Sequence, residues 1–264
     1  MASRPPQPDS VDAARELVGS ATRIVVLTGA GISTDSGIPD FRGPSGIWTK
    51  NPEAEKKATL QAYLSDPELR RRSWKNRLES PTWQARPNPG HLALVDLERK
   101  GTLEMLVTQN IDGLHLVAGN SRERVIEIHG TMREVVCMTC GARMAMEDAL
   151  ERLRAGEEDL RCLEDSGYGY RCDGVLKSAT ISFGQNLVPE DLSRAQRAAS
   201  VCDLLLAVGT TLAVYPAAGL VPTAHLAGAK VVIVNGEPTE LDVIADAVVR
   251  APISEALPAI VGSR

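Results

Sequence analysis

Apolar residues in this chain gather into short unbroken runs, each followed by a polar cluster and then by a longer stretch of mixed pattern. The runs near Ile24–Leu27, Leu103–Val107, Arg124–Ile128, Asp203–Val208, Lys230–Val234 and Asp246–Val249 read as six strands. They do not alternate with polar residues, so each suits a strand buried on both faces of a parallel sheet. Helix signals lie between them. Val11 to Gly19 reads as a helix with Asp9 or Ser10 as cap and Gly19 as stop. Asp66-Pro67-Glu68 supplies a cap, a first-turn proline and an acidic first turn for a helix reaching about Leu78. Asn88-Pro89 opens another, ending at Gly101, whose Leu92, Val95 and Leu97 would pack on a sheet. Pro189–Ser200 and Pro216–Ala227 come next, and Ser254 caps a C-terminal helix. Six strands separated by helices or insertions predict an α/β fold, a doubly wound parallel Rossmann-like sheet. The pattern breaks twice, into helices from Pro44 to Pro87 and into short pieces from Val135 to Lys177.

The polar clusters at the strand ends carry the candidate chemistry. After the first strand, Gly29-Ala30-Gly31 permits a tight turn and close approach of a ligand, and Ser33 and Thr34 add hydroxyls. Thr34 stands where the usual dinucleotide fingerprint has its third glycine, and no strand ending in Asp or Glu comes about 20 residues on, which disfavours a plain dehydrogenase. The second strand runs into Thr108-Gln109-Asn110-Ile111-Asp112-Gly113-Leu114-His115 and the third into His129-Gly130. Ligands of open α/β sheets lie beyond the carboxyl ends of the strands, so the three clusters converge on one cleft.

Composition narrows the classes. The 264 residues can bury a sizeable core, and 43% apolar with 24% charged residues is ordinary for a globular enzyme. A net charge of −5 provides no footprint for nucleic acid. The local run Arg70, Arg71, Arg72, Lys75 and Arg77 reads as a solvated helix face, with attraction to acidic partners as the alternative. No apolar run is long enough to span a membrane. The opening MASRPPQPDS has no apolar core and reads as a leader and not a signal peptide, which makes the cytoplasm the expected compartment. Five cysteines then point to thiolates and not disulfides. Cys137-x2-Cys140 with Cys162 and Cys172 supplies four thiolates for one tetrahedral, structural zinc; Cys202 enters an apolar strand and reads as a core residue.

GAGISTDSGIPDFRG (Gly29–Gly43), with TQNIDGLH, EIHG and the four-cysteine set, resembles the sirtuins, the NAD-dependent protein lysine deacylases. The widened second cysteine pair, Trp48 and Asn235-Gly236-Glu237-Pro238-Thr239 look most like the class IV branch, alongside bacterial features. The resemblance implies that NAD is consumed as a co-substrate. The acyl-lysine oxygen attacks the ribose C1′ as nicotinamide leaves, and the imidazole of His129 takes a proton from a ribose hydroxyl. Free lysine, nicotinamide and O-acyl-ADP-ribose are the products. By the same resemblance Asn110 and Asp112 hold the nicotinamide carboxamide. Gly29, Ala30, Gly31, Thr34, Phe41, Arg42, Trp48, Gln109, Ile111, Gly209, Thr210, Thr211, Asn235, Glu237 and Ile253 bind the rest of NAD. A substrate peptide would pair with Ser182-Phe183-Gly184-Gln185 and Leu212-Ala213-Val214-Tyr215-Pro216, with Phe183, Gly184 and Val214 at the acyl-lysine. His115 braces the loop, while His91 and His225 are packing or surface residues.

The expected organisation is an NAD-binding domain over 1–43, 88–134 and 178–264, a helical module over 44–87 and a zinc module over 135–177. The partner is acylated lysine on proteins, with no membrane, no nucleic acid and a monomeric state. Mono-ADP-ribosylation of protein at the same site is the alternative activity.

Overall fold

The computed structural model describes residues 11–40, 43, 46–50, 59–165, 167 and 169–262, with the side chains of 47 and 48 excepted. The expected caps Asp9 and Ser10 lie outside these residues.

The strands, in chain order, are β1 (Ile24–Thr28), β2 (Leu103–Thr108), β3 (Val125–Glu127), β4 (Gly130–Cys137), β5 (Arg143–Ala145), β6 (Leu176–Thr180), β7 (Leu204–Val208), β8 (Lys230–Val234) and β9 (Ala247–Val249). Six form a sheet in the order β3-β2-β1-β7-β8-β9, every neighbouring pair parallel. The expected doubly wound parallel sheet is therefore present. The chain builds outward from β1 to β3, then crosses to β7 and builds outward the other way. The switch point lies between β1 and β7, where ligands of such sheets bind.

The helices are α1 (Val11–Ser20), α2 (Ile47–Lys50), α3 (Leu60–Ser65), α4 (Pro67–Leu78), α5 (Pro89–Arg99), α6 (Leu114–Ala118), α7 (Met146–Arg154), α8 (Pro189–Val201), α9 (Leu220–Leu226) and α10 (Ile253–Val261). All five residues of β1 and of β7 are buried. Alternate side chains serve opposite faces, as a pleated strand requires. Ile24, Val26, Leu204 and Leu206 pack with α1, α5 and α10, whereas Val25, Leu27, Leu205 and Ala207 pack with α8 and α9.

Several expected helix boundaries change. α1 continues one residue past Gly19 to Ser20. α10 starts at Ile253 with Pro252 in the cap position, so Ser254 is not its cap; the Ser254 hydroxyl is buried without a partner. The expected helix from Pro216 begins instead as a 3-10 turn at Ala217–Gly219 before α9.

β4, β5 and β6 form a separate antiparallel sheet in the order β5-β4-β6. Its core is small: Trp74 from α4 meets Val135, Met146, Leu150, Leu160 and Leu176 with Cys137 and Cys162. Asp66 caps α4 as its sequence predicts, accepting from the N–H groups of Glu68 at 2.9 Å and Leu69 at 3.1 Å. The basic run on α4 is not uniformly solvated. Arg70 is 2% exposed and clasps Asp159 with two 2.7 Å bonds, tying α4 to the small lobe. Arg72 and Lys75 are exposed, as a solvated face would have them.

Candidate active site

Beyond the carboxyl ends of the parallel strands lies a cleft of about 1200 Å3. Its floor is made where the β1 and β7 turns meet. Gly31 N–H donates to the Gly209 carbonyl at 2.8 Å, and Gly29 N–H to that of Val208 at 3.0 Å. A Cβ on Gly29 would lie 2.7 Å from the Gly209 oxygen, and one on Gly31 would lie 2.7 Å from Gly209 Cα. Gly209, at φ +60°, would place its own Cβ 2.5 Å from the Ile32 nitrogen. The glycines are thus required by backbone packing of one turn on the other, in addition to the ligand approach read from the sequence. Gly29 leads into a 3-10 helix, Ala30–Ser36.

The β2 end supplies the most ordered polar groups. Asn110 donates its amide to the Gly29 carbonyl and to Ser33 Oγ, both at 3.1 Å, and lines the cleft. Ser33 Oγ donates to Asp112 Oδ2 at 2.8 Å, and the Leu114 N–H donates to Oδ1 at 2.8 Å. Asp112 is therefore buried behind Asn110 and Ser33 and does not line the cleft. Gln109 lines it and donates to Thr210 Oγ1 at 2.9 Å, bridging the β2 and β7 loops.

Behind this layer stand two buried imidazoles with ring centres 5.0 Å apart, His91 and His115. His91 completes the α5 cap: Asn88 accepts from the helix N–H groups, and His91 Nδ1 accepts the Asn88 N–H at 3.4 Å. His115 Nε2 lies 3.0 Å from Thr28 Oγ1, so it does brace the loop as expected. Burial lowers the His91 pKa to about 4, with the Asp112 charge pulling the other way. Burial also holds His115 well below its ordinary value, and the His91 charge adds to that. His91 thus belongs to the buried wall behind the cleft, while His225 is exposed.

His129 stands on the cleft wall at the end of β3. Its Nδ1 lies 3.1 Å from the Gln109 carbonyl oxygen. A carbonyl can only accept, so the neutral ring carries its proton on Nδ1 and keeps the Nε2 lone pair. Burial lowers its pKa, partly offset by that hydrogen bond, so the basic form prevails at neutral pH.

Of the other residues singled out from sequence, Ala30, Thr34, Ile111, Phe183, Gly184, Thr211, Val214, Asn235, Glu237 and Ile253 all line the same cleft. Phe41 and Arg42 lie outside the described residues, as does the Trp48 side chain. The family model described as "Sir2 family" matches residues 29–216, which include both the glycine turn and this histidine. The chain belongs to the Sir2 family.

Relatives agree over nearly the whole length. A Streptomyces coelicolor protein named "NAD-dependent protein deacetylase 2" is 51% identical over 237 residues, 90% of this chain and 95% of that protein. A Bradyrhizobium diazoefficiens protein named "NAD-dependent protein deacetylase 1" is 42% identical, covering 94% of each. A chain solved under the heading "Structural Basis for the Mechanism and Regulation of Sir2 Enzymes" superposes with a TM-score of 0.84 at 37% identity, covering 97% of this chain and 98% of that one. Another, described as "Sir2-p53 peptide-NAD+", has a TM-score of 0.81 at 35% identity, covering 94% and 95%.

The four Sir2-type cysteines Cys137, Cys140, Cys162 and Cys172 bring their sulfurs within 4.8 Å of one another. Two of the pairs are 3.7 Å apart. A tetrahedron with zinc–sulfur bonds of about 2.3 Å has edges of about 3.8 Å, so the donor set fits Zn2+ with no open position. Gly174 closes the site, since a Cβ there would lie 2.6 Å from Cys137 Sγ. Cys202 is buried away from this set, in the large sheet's core, as expected.

Sequence reasoning missed one wall of the cleft. Tyr63, Trp74 and Arg77 from α3 and α4, and Lys177 from β6, all line it. No motif marks them, because they meet only through the packing of the helical segment on the small lobe.

Proposed function

We infer that this Sir2 chain is an NAD-dependent protein lysine deacylase, with deacetylation as its reference activity. The observation that carries the reading is His129 on the wall of a switch-point cleft, its Nδ1 held by the Gln109 carbonyl so that Nε2 faces reaction as a base. NAD supplies an electrophilic ribose carbon and a neutral leaving group. The cleft, at about 1200 Å3, exceeds the roughly 300–1,000 Å3 of a single small-ligand site and so has room for a dinucleotide beside an acyl-lysine.

The chain's own residues divide the work. Asn110 is held by Gly29 and Ser33 with its NH2 inward, which leaves its amide oxygen for the nicotinamide carboxamide. Asp112 acts on that group by fixing Ser33 and the start of α6. The packed Gly29–Gly31 and Gly209–Thr210 turns, with Thr34 and Thr211, receive the phosphates. Asn235, whose amide donates to the Glu237 carbonyl at 2.7 Å, receives the adenosine ribose together with Glu237, and Ile253 covers that end. Gln109 orients both the nicotinamide ribose and His129. Phe41, Arg42 and Trp48 complete the cover over NAD, and Phe183, Gly184 and Val214 flank the acyl-lysine.

The module boundaries we propose are 1–43, 88–134 and 178–264 for NAD binding, 44–87 for the helices and 135–177 for zinc. Among the described residues no helix is long and apolar enough to cross a membrane. A cytoplasmic setting is the one we propose, since four of the five cysteines are arranged as metal ligands and Cys202 is a core residue, and the net charge of −5 disfavours nucleic acid as a partner. A monomer suffices, because one chain supplies every group named.

Transfer of ADP-ribose to protein, the alternative raised by the sequence, is not favoured. The Streptomyces and Bradyrhizobium relatives both bear deacetylase names, and a further Sir2 structure, with a TM-score of 0.82, is described as holding a deacetylated p53 peptide with 3′-O-acetyl-ADP-ribose. Mass spectrometry of an acetyl-lysine peptide incubated with NAD should show peptide, nicotinamide and O-acetyl-ADP-ribose formed in equal amounts. An ADP-ribosylated protein adduct in their place would overturn the reading.

A further inference from the structure

His129 is held from two sides. Its ring is fixed through Nδ1 by the Gln109 carbonyl at the end of β2. Its backbone is fixed by the small lobe, where the Ile181 N–H donates to the His129 carbonyl at 2.7 Å and Gly130 pairs with Thr180. Gly130 lies so close to β6 that a Cβ on it would stand 2.0 Å from the Ala179 oxygen. The end of β6 therefore sets where the His129–Gly130 backbone sits.

That end of β6 has little regular pairing to hold it. In the order β5-β4-β6 the strand is outermost, and its register with β4 shifts between Gly130 and Val135. The Val175 carbonyl, which accepts from the Met138 N–H at 2.9 Å, and the Ile181 N–H both point toward the β4 side. Groups one residue along point the other way, so the carbonyls of Leu176, Ser178 and Thr180 face outward and need partners of their own. Side chains supply them. The Tyr63 hydroxyl donates to the Leu176 carbonyl at 3.0 Å, and the Lys177 side-chain nitrogen donates to the Ser178 carbonyl at 3.2 Å and to that of Thr180. Lys177 is 4% exposed and has no carboxylate partner among the described residues. Burial, with the Arg77 charge, lowers its pKa to about 8. Charged or neutral, the nitrogen keeps the two N–H groups that the two carbonyls take.

One peptide group joins the two sets of contacts. The carbonyl of the Thr180–Ile181 peptide accepts from Lys177, and the N–H of the same peptide donates to the His129 carbonyl. We propose that Lys177 is a positioning residue for the base: by holding the Thr180–Ile181 peptide it fixes the His129 backbone, and with it the reach of Nε2 to the ribose hydroxyl. Lys177 acts through that peptide and not on the substrate. The proposal rests on the deacylase reading and adds a residue to the step that needs the base.

Nicotinamide leaves before the base acts, so the two stages can be read separately in the zinc-loaded full chain. With an acetyl-lysine peptide, exchange of labelled nicotinamide into NAD reports the first, and formation of deacetylated peptide reports the second. Their ratio, taken within one preparation, does not depend on how much of a variant folds. In Lys177→Met exchange should persist while kcat for deacetylation falls about ten- to hundredfold, with KM for NAD and peptide little changed. Amide exchange at Ile181 should quicken while the β4–β5 ladder stays protected. Lys177→Arg, which keeps the donors, should restore most of the ratio. An unchanged ratio in Lys177→Met, or a loss confined to KM for the peptide, would overturn the proposal and leave the deacylase reading intact. So would loss of zinc and of protection throughout the lobe, which would make Lys177 a folding residue. Failure of the unaltered chain to form deacetylated peptide would sink the deacylase reading and this proposal with it.

Discussion

The large parallel sheet and the small three-stranded lobe solve the same problem differently. The sheet buries apolar side chains on both faces, in clusters of 22 and 20 buried residues, and β1 and β7 are closed to solvent along their whole length. Among the described residues the lobe has nine, two of them metal-ligand cysteines, and one more is borrowed from α4. A core that small cannot offset the entropy of ordering β4 to β6 and their loops, so four thiolates do so through a metal. The difference bears on function. The sheet carries the glycine turns and the loop that ends in His129, whereas the lobe, with α4, shapes another wall of the same cleft.

Chelation gives the largest test of that contrast. Structural zinc contributes on the order of 10 kcal/mol of apparent folding free energy. Treating the protein with a strong chelator should abolish amide-exchange protection in β4, β5 and β6 while β1, β7 and β8 stay protected, and turnover should be lost. Unchanged protection in the lobe would mean that its apolar core is sufficient.

On the sheet side the sensitive points are backbone contacts. Gly209→Ala puts a methyl group into the Gly31–Ile32 backbone at positive φ, and denaturant unfolding should show a loss of about 2–4 kcal/mol. Gly37→Ala is the control: φ is +81° but nothing lies within 4 Å, so only the backbone cost of about 1 kcal/mol remains. Equal losses in the two variants would remove the packing explanation.

Acid should act on the sheet through its buried imidazoles. His91 and His115 bind fewer protons folded than unfolded, because burial lowers both pKa values. Their contribution is complete above the ordinary histidine range and is lost as pH falls from about 6.5 toward 4. Unfolding free energy measured across that window should decline, and less steeply in a His91→Gln variant. The smallest effect is expected at Ser254. Its hydroxyl is buried and unpaired, so Ser254→Ala should change stability by under about 0.5 kcal/mol or raise it, where loss of a true cap would cost about 1 kcal/mol.

Much of this was legible in the sequence. Strands buried on both faces must be written as unbroken apolar runs, so the six of them, and the polar clusters at their ends, stand out along the chain. The four cysteines did too, because metal ligation constrains residue type. What stayed hidden depends on tertiary contacts with no local signature. Arg70 reads as one more surface cation until Asp159, 89 positions away, is folded against it. Arg77 and Trp74 join the cleft only when α4 docks on the lobe. Asp112, chemically suited to contact a ligand, is turned inward by Ser33, and Ser254 loses the cap position because Pro252 and Ile253 set the start of α10.

The central claim is that His129 is the base of an NAD-consuming deacylation. Steady-state formation of deacylated peptide from NAD and an acyl-lysine peptide should fall about 10²–10⁴-fold in His129→Ala, with NAD still binding. The unaltered chain should lose activity only at a pH below the ordinary histidine value of about 6.5, since burial lowers the His129 pKa. Undiminished turnover by His129→Ala would contradict the account.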